Sequence, residues 1–348
     1  MKNVMLGMSG GVDSSAAAVM LLEQGFEVSG VTLILKDGEQ TLRDVESARG
    51  VADALGIEHH TVDLREKFRN EVIANFASEY KSGRTPNPCC VCNMKIKFGA
   101  MLDFALEKGT DGIATGHYAK LKKDEESGKT LLVRSEGPKD QSYFLYGLNE
   151  FQLSHSIFPL ENAGSKDEIR AICAAKGLSV ASRGDSQEIC FVPDDDYVSF
   201  LSAMGVESKA GDFLDMQGNV IGRHGGIIRY TVGQRKGLGA FGKPMFVTSI
   251  NAENNSVILG ENGSQYSKGL IADSLNLISI DSLDAPLRAQ VKIRFRAKEQ
   301  WATVTPVGGG RVEVIFDEPQ RSVTPGQAAV FYDGDTVIGG ARIISQIG

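Results

Sequence analysis

The opening of the chain constrains the fold more than any other stretch. Val4 to Met8 is a short apolar run of the kind a buried strand needs. It breaks into Ser9-Gly10-Gly11-Val12-Asp13-Ser14, and an Ala-rich run, Ser15 to Gln24, follows directly. Strand, Gly-rich turn and helix make a phosphate-binding arrangement. The glycines let the backbone approach an anion, and the helix start offers N–H groups and the positive end of its dipole. Ser9 and Ser14 add hydroxyls, and Asp13 is a carboxylate able to hold Mg²⁺ against phosphates. The pattern G-x-x-x-x-G-K-[ST] is absent, so this is not a Walker loop. The plain alternative is an ordinary Gly-rich strand-to-helix turn.

The rest of the chain bounds the class. A 348-residue chain exceeds one core, so two or three domains are expected. No apolar run approaches the roughly 18 residues a membrane helix needs, so no membrane association is expected. The start runs straight into a strand, which reads as no signal peptide. Five cysteines, three of them in Cys89-Cys90-Val91-Cys92, suit a reducing cytoplasm and thiol or metal chemistry. The net charge of −7 argues weakly against nucleic acid, but its distribution does not. Gln217 to Ala252 has no acid and carries Arg223, Arg229, Arg235, Lys236 and Lys243. Ala285 to Lys298 is also acid-free, with Arg288, Lys292, Arg294, Arg296 and Lys298. These islands read either as phosphate-binding surfaces or as solvated β faces.

The first half alternates strand candidates (Val4–Met8, Glu27–Leu35, Glu58–Val62, Gly112–Thr115) with helix candidates (Ser15–Gln24, Thr41–Leu55, Leu64–Lys81, Ile96–Lys108, Lys166–Lys176). That alternation predicts a doubly wound parallel α/β sheet, with ligands beyond the carboxyl ends of its strands. Gly-rich segments and short strands follow from Gly211 to Gly260. From Leu270 onward alternating runs recur, with Gly308-Gly309-Gly310 and Asp333-Gly334-Asp335 as hairpin turns, predicting a small antiparallel barrel or sandwich.

Further segments carry chemistry. Gly83 to Asn93 is a loop stiffened by Pro86 and Pro88 that delivers cysteines just before a helix start near Lys95. A thiol there, near Lys95 and Lys97, is expected to be a better nucleophile. Gly184 to Phe191 holds Cys190 alone in a polar setting, and Thr115-Gly116-His117-Tyr118-Ala119 lies at the end of a strand, where the glycine can let a nucleotide lie close. Cys173, beside Ile172 on a helix, reads as core packing, as do Trp301 and the phenylalanines; His59 and His60 read as surface residues. The C-x-x-C spacing of Cys89 and Cys92 fits a redox pair, a cluster or zinc.

The S-G-G-V-D-S string resembles the pyrophosphate loop of N-type ATP pyrophosphatases, which split ATP into AMP and pyrophosphate to activate an oxygen. Together with Arg84–Asn93, Ala114–Ala119, Asp140–Leu145, Ser186–Phe191, Tyr230–Leu238, Lys292–Arg296 and Val323–Gln327, it resembles the bacterial tRNA-specific 2-thiouridylase family nearly end to end. The resemblance implies a catalytic domain over 1–203, a central β-rich tRNA-contacting domain over 204–266 and an antiparallel β-barrel over 267–348. It places ATP on Gly7, Met8, Ser9, Gly10, Gly11, Val12, Asp13, Ser14, Leu33 and Gly116. It makes Cys92 the nucleophile and Cys190 the persulfide carrier. It puts Asn87, Pro88 and Cys89 at the target base, and Lys139, Asp140, Gln141, Arg294, Phe295 and Gln327 on tRNA, with His117 bearing on tRNA handling. Two positions depart from the family pattern: Cys89 stands where Asp is common, and Leu33 stands where Met is common.

The implied activity is ATP-dependent 2-thiolation of the wobble uridine in the cytoplasm, on tRNAs for Lys, Glu and Gln. A cysteine desulfurase or relay protein would donate the sulfur, and a Cys92–Cys190 disulfide would form in each turnover. Mg²⁺ would accompany ATP. A [4Fe–4S] cluster on Cys89, Cys92 and Cys190 is the competing cofactor, and a small-molecule N-type ATP pyrophosphatase the competing function.

Overall fold

The computed structural model describes residues 1–137, 139–178 and 189–348. It contains two compact units: Met1–Val72 with Cys89–Gln187 and Asp335–Val337, and Ile73–Pro88 with Glu188–Gly334 and Ile338–Gly348.

In the first unit, β1 (Asn3–Gly7), β2 (Glu27–Ile34), β3 (His59–Asp63) and β4 (Gly112–Ala114) precede a hairpin of β5 (Lys120–Lys123) and β6 (Thr130–Val133), then the short β7 (Ser156–Ile157). The central sheet runs β3-β2-β1-β4-β7 with every pairing parallel. Val4, Met5 and Leu6 are all fully buried, as a strand covered on both faces must be. Val4 and Leu6 share a core with Ala16, Ala17, Leu21, Val51, Ile169 and Cys173, so α1 (Val12–Glu23), α2 (Glu39–Leu55) and the helix Lys166–Ala175 cover one face. Gly7 faces Met101 on the other. The chain leaves β1 for β2 on one side, while β4 lies on its other side. The loops after β1 and β4 therefore flank the switch point where open α/β sheets bind ligands.

The cysteine segment differs from expectation. Its helix starts at Pro88, not near Lys95. It runs through Cys92, widens into a π-helical stretch over Asn93–Ala100 and ends as Met101–Glu107. Proline suits a first helical position because its ring presets φ and its missing N–H has no partner to lose there. Cys92 is consequently one turn inside the helix, not ahead of it.

The second unit holds a four-stranded sheet, β8 (Gly211–Leu214), β9 (Val220–His224), β10 (Phe246–Asn251) and β11 (Ser256–Gly260), in the order β10-β11-β8-β9. Six strands follow: β12 (Tyr266–Leu277), β13 (Leu287–Lys292), β14 (Gln300–Gly308), β15 (Arg311–Arg321), β16 (Ala328–Asp333) and β17 (Thr336–Ile347). They run β12-β15-β14-β13-β16-β17, and β17 pairs back onto β12. That closure decides for a barrel over a sandwich. Both predicted hairpin turns are present, with Gly308, Gly309, Gly310 and Gly334 at positive φ.

Other expectations are corrected. Trp301 is 48% exposed, because on β14 it alternates with the inward Ala302 and Val304. The Arg288 guanidinium lies 5.5 Å from its ring centre. Phe151 and Phe295 are exposed as well. His59 and His60 are half-buried in β3, and His59 Nε2 lies 2.9 Å from Thr32 Oγ1. Cys173 is fully buried, as expected.

Candidate functional site

The loop after β1 is held from below. The Thr32 hydroxyl donates to Met8 O at 2.9 Å, and Ser47 Oγ donates to Gly10 O at 3.2 Å. Gly10 has φ +69°, and a Cβ there would stand 2.7 Å from Asp44 O, so only glycine fits. Gly11 is the N-cap of α1 and offers no side-chain cap to the first turn. Ser14 Oγ and Ser15 Oγ both donate to Gly11 O, at 3.1 and 2.9 Å. An uncapped helix start above two glycines fits the phosphates of a nucleotide.

The loop after β4 meets this one. A Cβ on Gly116 would lie 3.2 Å from both Asp13 C and Ser14 N, so the strand-end glycine permits the close approach. Leu33 sits half-buried near the end of β2. Asp13 is gripped: Lys166 Nζ donates to both carboxylate oxygens at 2.8 Å, and the Tyr118 hydroxyl donates to Oδ1 at 2.7 Å. Lys166 is the first residue of a helix fixed by a Ser165–Glu168 capping box, and its side chain is 13% exposed. The Asp13 carboxylate fits the oxygen chemistry of Mg²⁺.

His117 is buried beside this loop, with Nδ1 2.7 Å from Thr115 Oγ1 and Nε2 3.5 Å from Lys97 Nζ. Burial, reinforced by the Lys97 charge, drives its pKa well below the ordinary value, so the ring is neutral. An ammonium only donates, so Nε2 is the acceptor and Nδ1 carries the proton toward Thr115. Lys97 is thus turned to His117, and Lys95 is exposed.

The cysteines separate by environment. Cys92, in the first unit, is 9% exposed; Cys90 is 4% exposed, and burial raises its thiol pKa well above normal. Cys89 is exposed in the first unit and Cys190 exposed in the second. Ser186, Gln187 and Glu188, expected beside Cys190, lie outside the described residues. Among the described residues no group of three His, Cys, Asp or Glu side chains gathers to hold a metal ion.

The expected tRNA positions have internal partners. Lys139 Nζ lies 5.7 Å from the Tyr118 ring centre. Asp140 accepts from Ser142 N and Oγ at 3.0 and 2.9 Å, and Gln141 Oε1 accepts from Tyr118 N at 3.0 Å. In the second unit, Arg294 donates to Val232 O at 3.0 Å and to Thr324 Oγ1. Gln327 Nε2 donates to Thr85 O and Pro86 O, at 2.8 and 3.2 Å.

Family models match along the chain: a tRNA methyl transferase HUP domain over residues 2–194, a tRNA methyl transferase PRC-barrel domain over 199–261 and an aminomethyltransferase β-barrel domain over 267–343. The protein is 50% identical to the tRNA-specific 2-thiouridylase MnmA of Acetivibrio thermocellus, over 98% of this chain and 99% of the relative. It is 48% identical to that of Clostridioides difficile, over 98% of both. The chain belongs to the tRNA-specific 2-thiouridylase family.

Two residues at the loop of this family member escaped the sequence reading. Lys166 sits 153 positions from Asp13, and only the fold joins them. Its one sequence signal is the Ser-Lys-Asp-Glu capping box that places it at a helix start. Tyr118 lies inside the Thr115–Ala119 segment, where only the glycine and His117 drew attention.

Proposed function

We propose that this protein carries out ATP-dependent 2-thiolation of the wobble uridine of tRNA, releasing AMP and pyrophosphate. The observation that carries this reading is the uncapped, glycine-lined start of α1 at the sheet's switch point, in a chain whose full length matches the 2-thiouridylases. That match also displaces a small-molecule pyrophosphatase.

Uridine O2 is a poor leaving group. Attack of O2 on the α-phosphorus of ATP forms a C2–O–P bond and expels pyrophosphate, so AMP can leave later. Residues Gly7 to Ser14, with Leu33 and Gly116, hold the nucleotide. Backbone N–H groups of the first turn and Lys166 face the negative charge that develops. Asp13 would hold Mg²⁺, which supplies charge neutralisation to the phosphates when bound.

Sulfur arrives on Cys190 as a persulfide from a donor, a cysteine desulfurase or relay protein. Its outer sulfur attacks C2 and displaces AMP, and Cys92 thiolate then attacks the Cys190 sulfur and frees the thiouridine. Alternatively Cys92 first releases hydrosulfide, which attacks C2. Both routes end in a Cys92–Cys190 disulfide that an external dithiol must reduce. Asn87, Pro88 and Cys89 meet the base, which leaves a single-stranded anticodon loop at little cost. His117, Lys139, Asp140, Gln141, Arg294, Phe295 and Gln327 stand at the family's tRNA positions.

We further assign catalysis to residues 1–203, tRNA contact to 204–266 and a barrel to 267–348, on tRNAs for Lys, Glu and Gln in the cytoplasm. Among the described residues no helix is long and apolar enough to cross a membrane. Pyrophosphate release from ATP, measured with and without tRNA, tests the reading: release that needs tRNA supports it, and tRNA-independent release contradicts it.

A further inference from the structure

Tyr118 joins two segments that the family pattern gives to different ligands, all within the first unit. It is buried, and Gln141 clasps its backbone from both sides. Tyr118 N donates to Gln141 Oε1 at 3.0 Å, and Gln141 N donates to Tyr118 O at 2.7 Å. The Lys139 ammonium lies 5.7 Å from its ring centre, a cation over an aromatic face. The segment Lys139 to Gln141 is itself anchored. Asp140 Oδ1 accepts from Ser135 N at 3.3 Å and from Ser142 N at 3.0 Å, and Gln141 O accepts from Phe144 N at 3.0 Å. At its far end the Tyr118 hydroxyl donates to Asp13 Oδ1 at 2.7 Å. Lys166 reaches both oxygens of that carboxylate at the same 2.8 Å, so it does not tell them apart. Tyr118 does: among the described residues Oδ1 takes two donors and Oδ2 one. The hydroxyl thus fixes how the carboxylate is turned and leaves Oδ2 with the greater unused acceptor capacity.

From this geometry we infer that Tyr118 is a positioning residue that couples the tRNA-facing segment Lys139 to Gln141 to Asp13 of the phosphate loop. The inference rests on the proposed roles of both segments and deepens them. A tRNA seated on Lys139 and Gln141 orders the same residues that clasp Tyr118. The tyrosine ring and hydroxyl turn as one rigid plate on two side-chain torsions, so a backbone held by Gln141 leaves the hydroxyl little play. Asp13 is then already set when Mg-ATP arrives. A carboxylate ordered in advance costs the second ligand less to bind, and that saving is the coupling between the two sites. By linkage the nucleotide tightens tRNA by the same factor. The arrangement gives pyrophosphate release a physical reason to wait for tRNA.

The test uses the full chain, Mg²⁺, unmodified tRNA for Lys and α,β-methylene-ATP, which cannot release pyrophosphate. Tyr118→Phe removes the hydroxyl and keeps the ring, the Lys139 contact and both backbone bonds; a melting curve checks that it folds. For wild type we expect saturating tRNA to tighten binding of the analogue by roughly 5- to 100-fold. In Tyr118→Phe that factor should shrink to about twofold or less, while tRNA affinity without nucleotide stays within about twofold of wild type. In Asp13→Ala the factor should already be lost, and adding Tyr118→Phe should change nothing further. A tRNA effect that survives Tyr118→Phe, or is missing from wild type, would overturn the coupling. So would a further loss in the double variant, which would mean that Tyr118 acts past Asp13. Weaker tRNA binding by Tyr118→Phe without nucleotide would overturn it too, by putting the tyrosine in the tRNA site. Wild type that couples the two ligands yet releases no pyrophosphate from ATP with tRNA would instead sink the proposed function and leave the coupling standing.

Discussion

Lys166, its side chain 13% exposed, holds both carboxylate oxygens of the half-buried Asp13 at 2.8 Å, across 153 residues of chain. The pair makes the phosphate loop an electrostatically closed unit before any nucleotide enters. Asp13→Ala should abolish pyrophosphate release and leave tRNA affinity intact, because Asp13 faces the α1 loop. Lys166→Ala should raise the KM for ATP by roughly 10- to 100-fold, the worth of a charge-assisted hydrogen bond. Added Mg²⁺ should relieve part of that loss by neutralising Asp13. ATP titrations at several Mg²⁺ levels check this, and an unchanged KM would mean the pair is only structural.

Alkylation should separate the thiols. Cys89 and Cys190 are exposed and should react with iodoacetamide first, whereas Cys90 and Cys173, both buried with raised pKa, should react only on unfolding. Cys92→Ser and Cys190→Ser should each bind ATP and tRNA yet form no 2-thiouridine. Cys90→Ser and Cys173→Ser should remain active. Normal thiolation by Cys190→Ser with a physiological donor would rule out its carrier role.

Stability should fall on acidification. Burial lowers the pKa of His59, His117 and His224 below the ordinary value of 6.5. Below about pH 6.5 the unfolded chain binds protons that the folded one refuses, so stability is full above that pH and declines beneath it. Urea titrations between pH 7.5 and 5.5, conditions set on the order of the histidine range, should show the midpoint dropping, and less so in His117→Asn. A midpoint flat with pH would contradict buried neutral rings.

Salt dependence should sort the basic islands. Arg235 and Lys236 are exposed, and neutralising each should reduce the slope of log affinity for tRNA against log salt by about one unit per lost phosphate contact. Arg294 also donates to Val232 O and Thr324 Oγ1, so Arg294→Met should lower the melting temperature as well as reduce the slope. A melting temperature that falls with the slope unchanged would take Arg294 off the nucleic acid.

The parallel sheet and the phosphate loop were legible because both are local: Val4–Met8 and S-G-G-V-D-S adjoin, and period and glycine content suffice. The acid-free islands are partly neutralised by acids from outside them, which local composition does not show. Arg223 meets Asp212, Lys243 meets Glu261 and Arg288 meets Asp317. Trp301 was placed in the core by residue type, where strand alternation turns it outward. Pro88 read as a loop stiffener although it starts a helix. The bonds of Lys166 and Tyr118 to Asp13 depend on contacts between distant segments, which no spacing encodes.

The most direct test is a single incubation of the protein with Mg-ATP, unmodified tRNA, a persulfide donor and a dithiol reductant. AMP and 2-thiouridine are then counted in the same sample. Adenylation followed by sulfur transfer predicts that both appear only together and in equal amounts. Thiouridine without AMP, or AMP release that ignores tRNA, would contradict it.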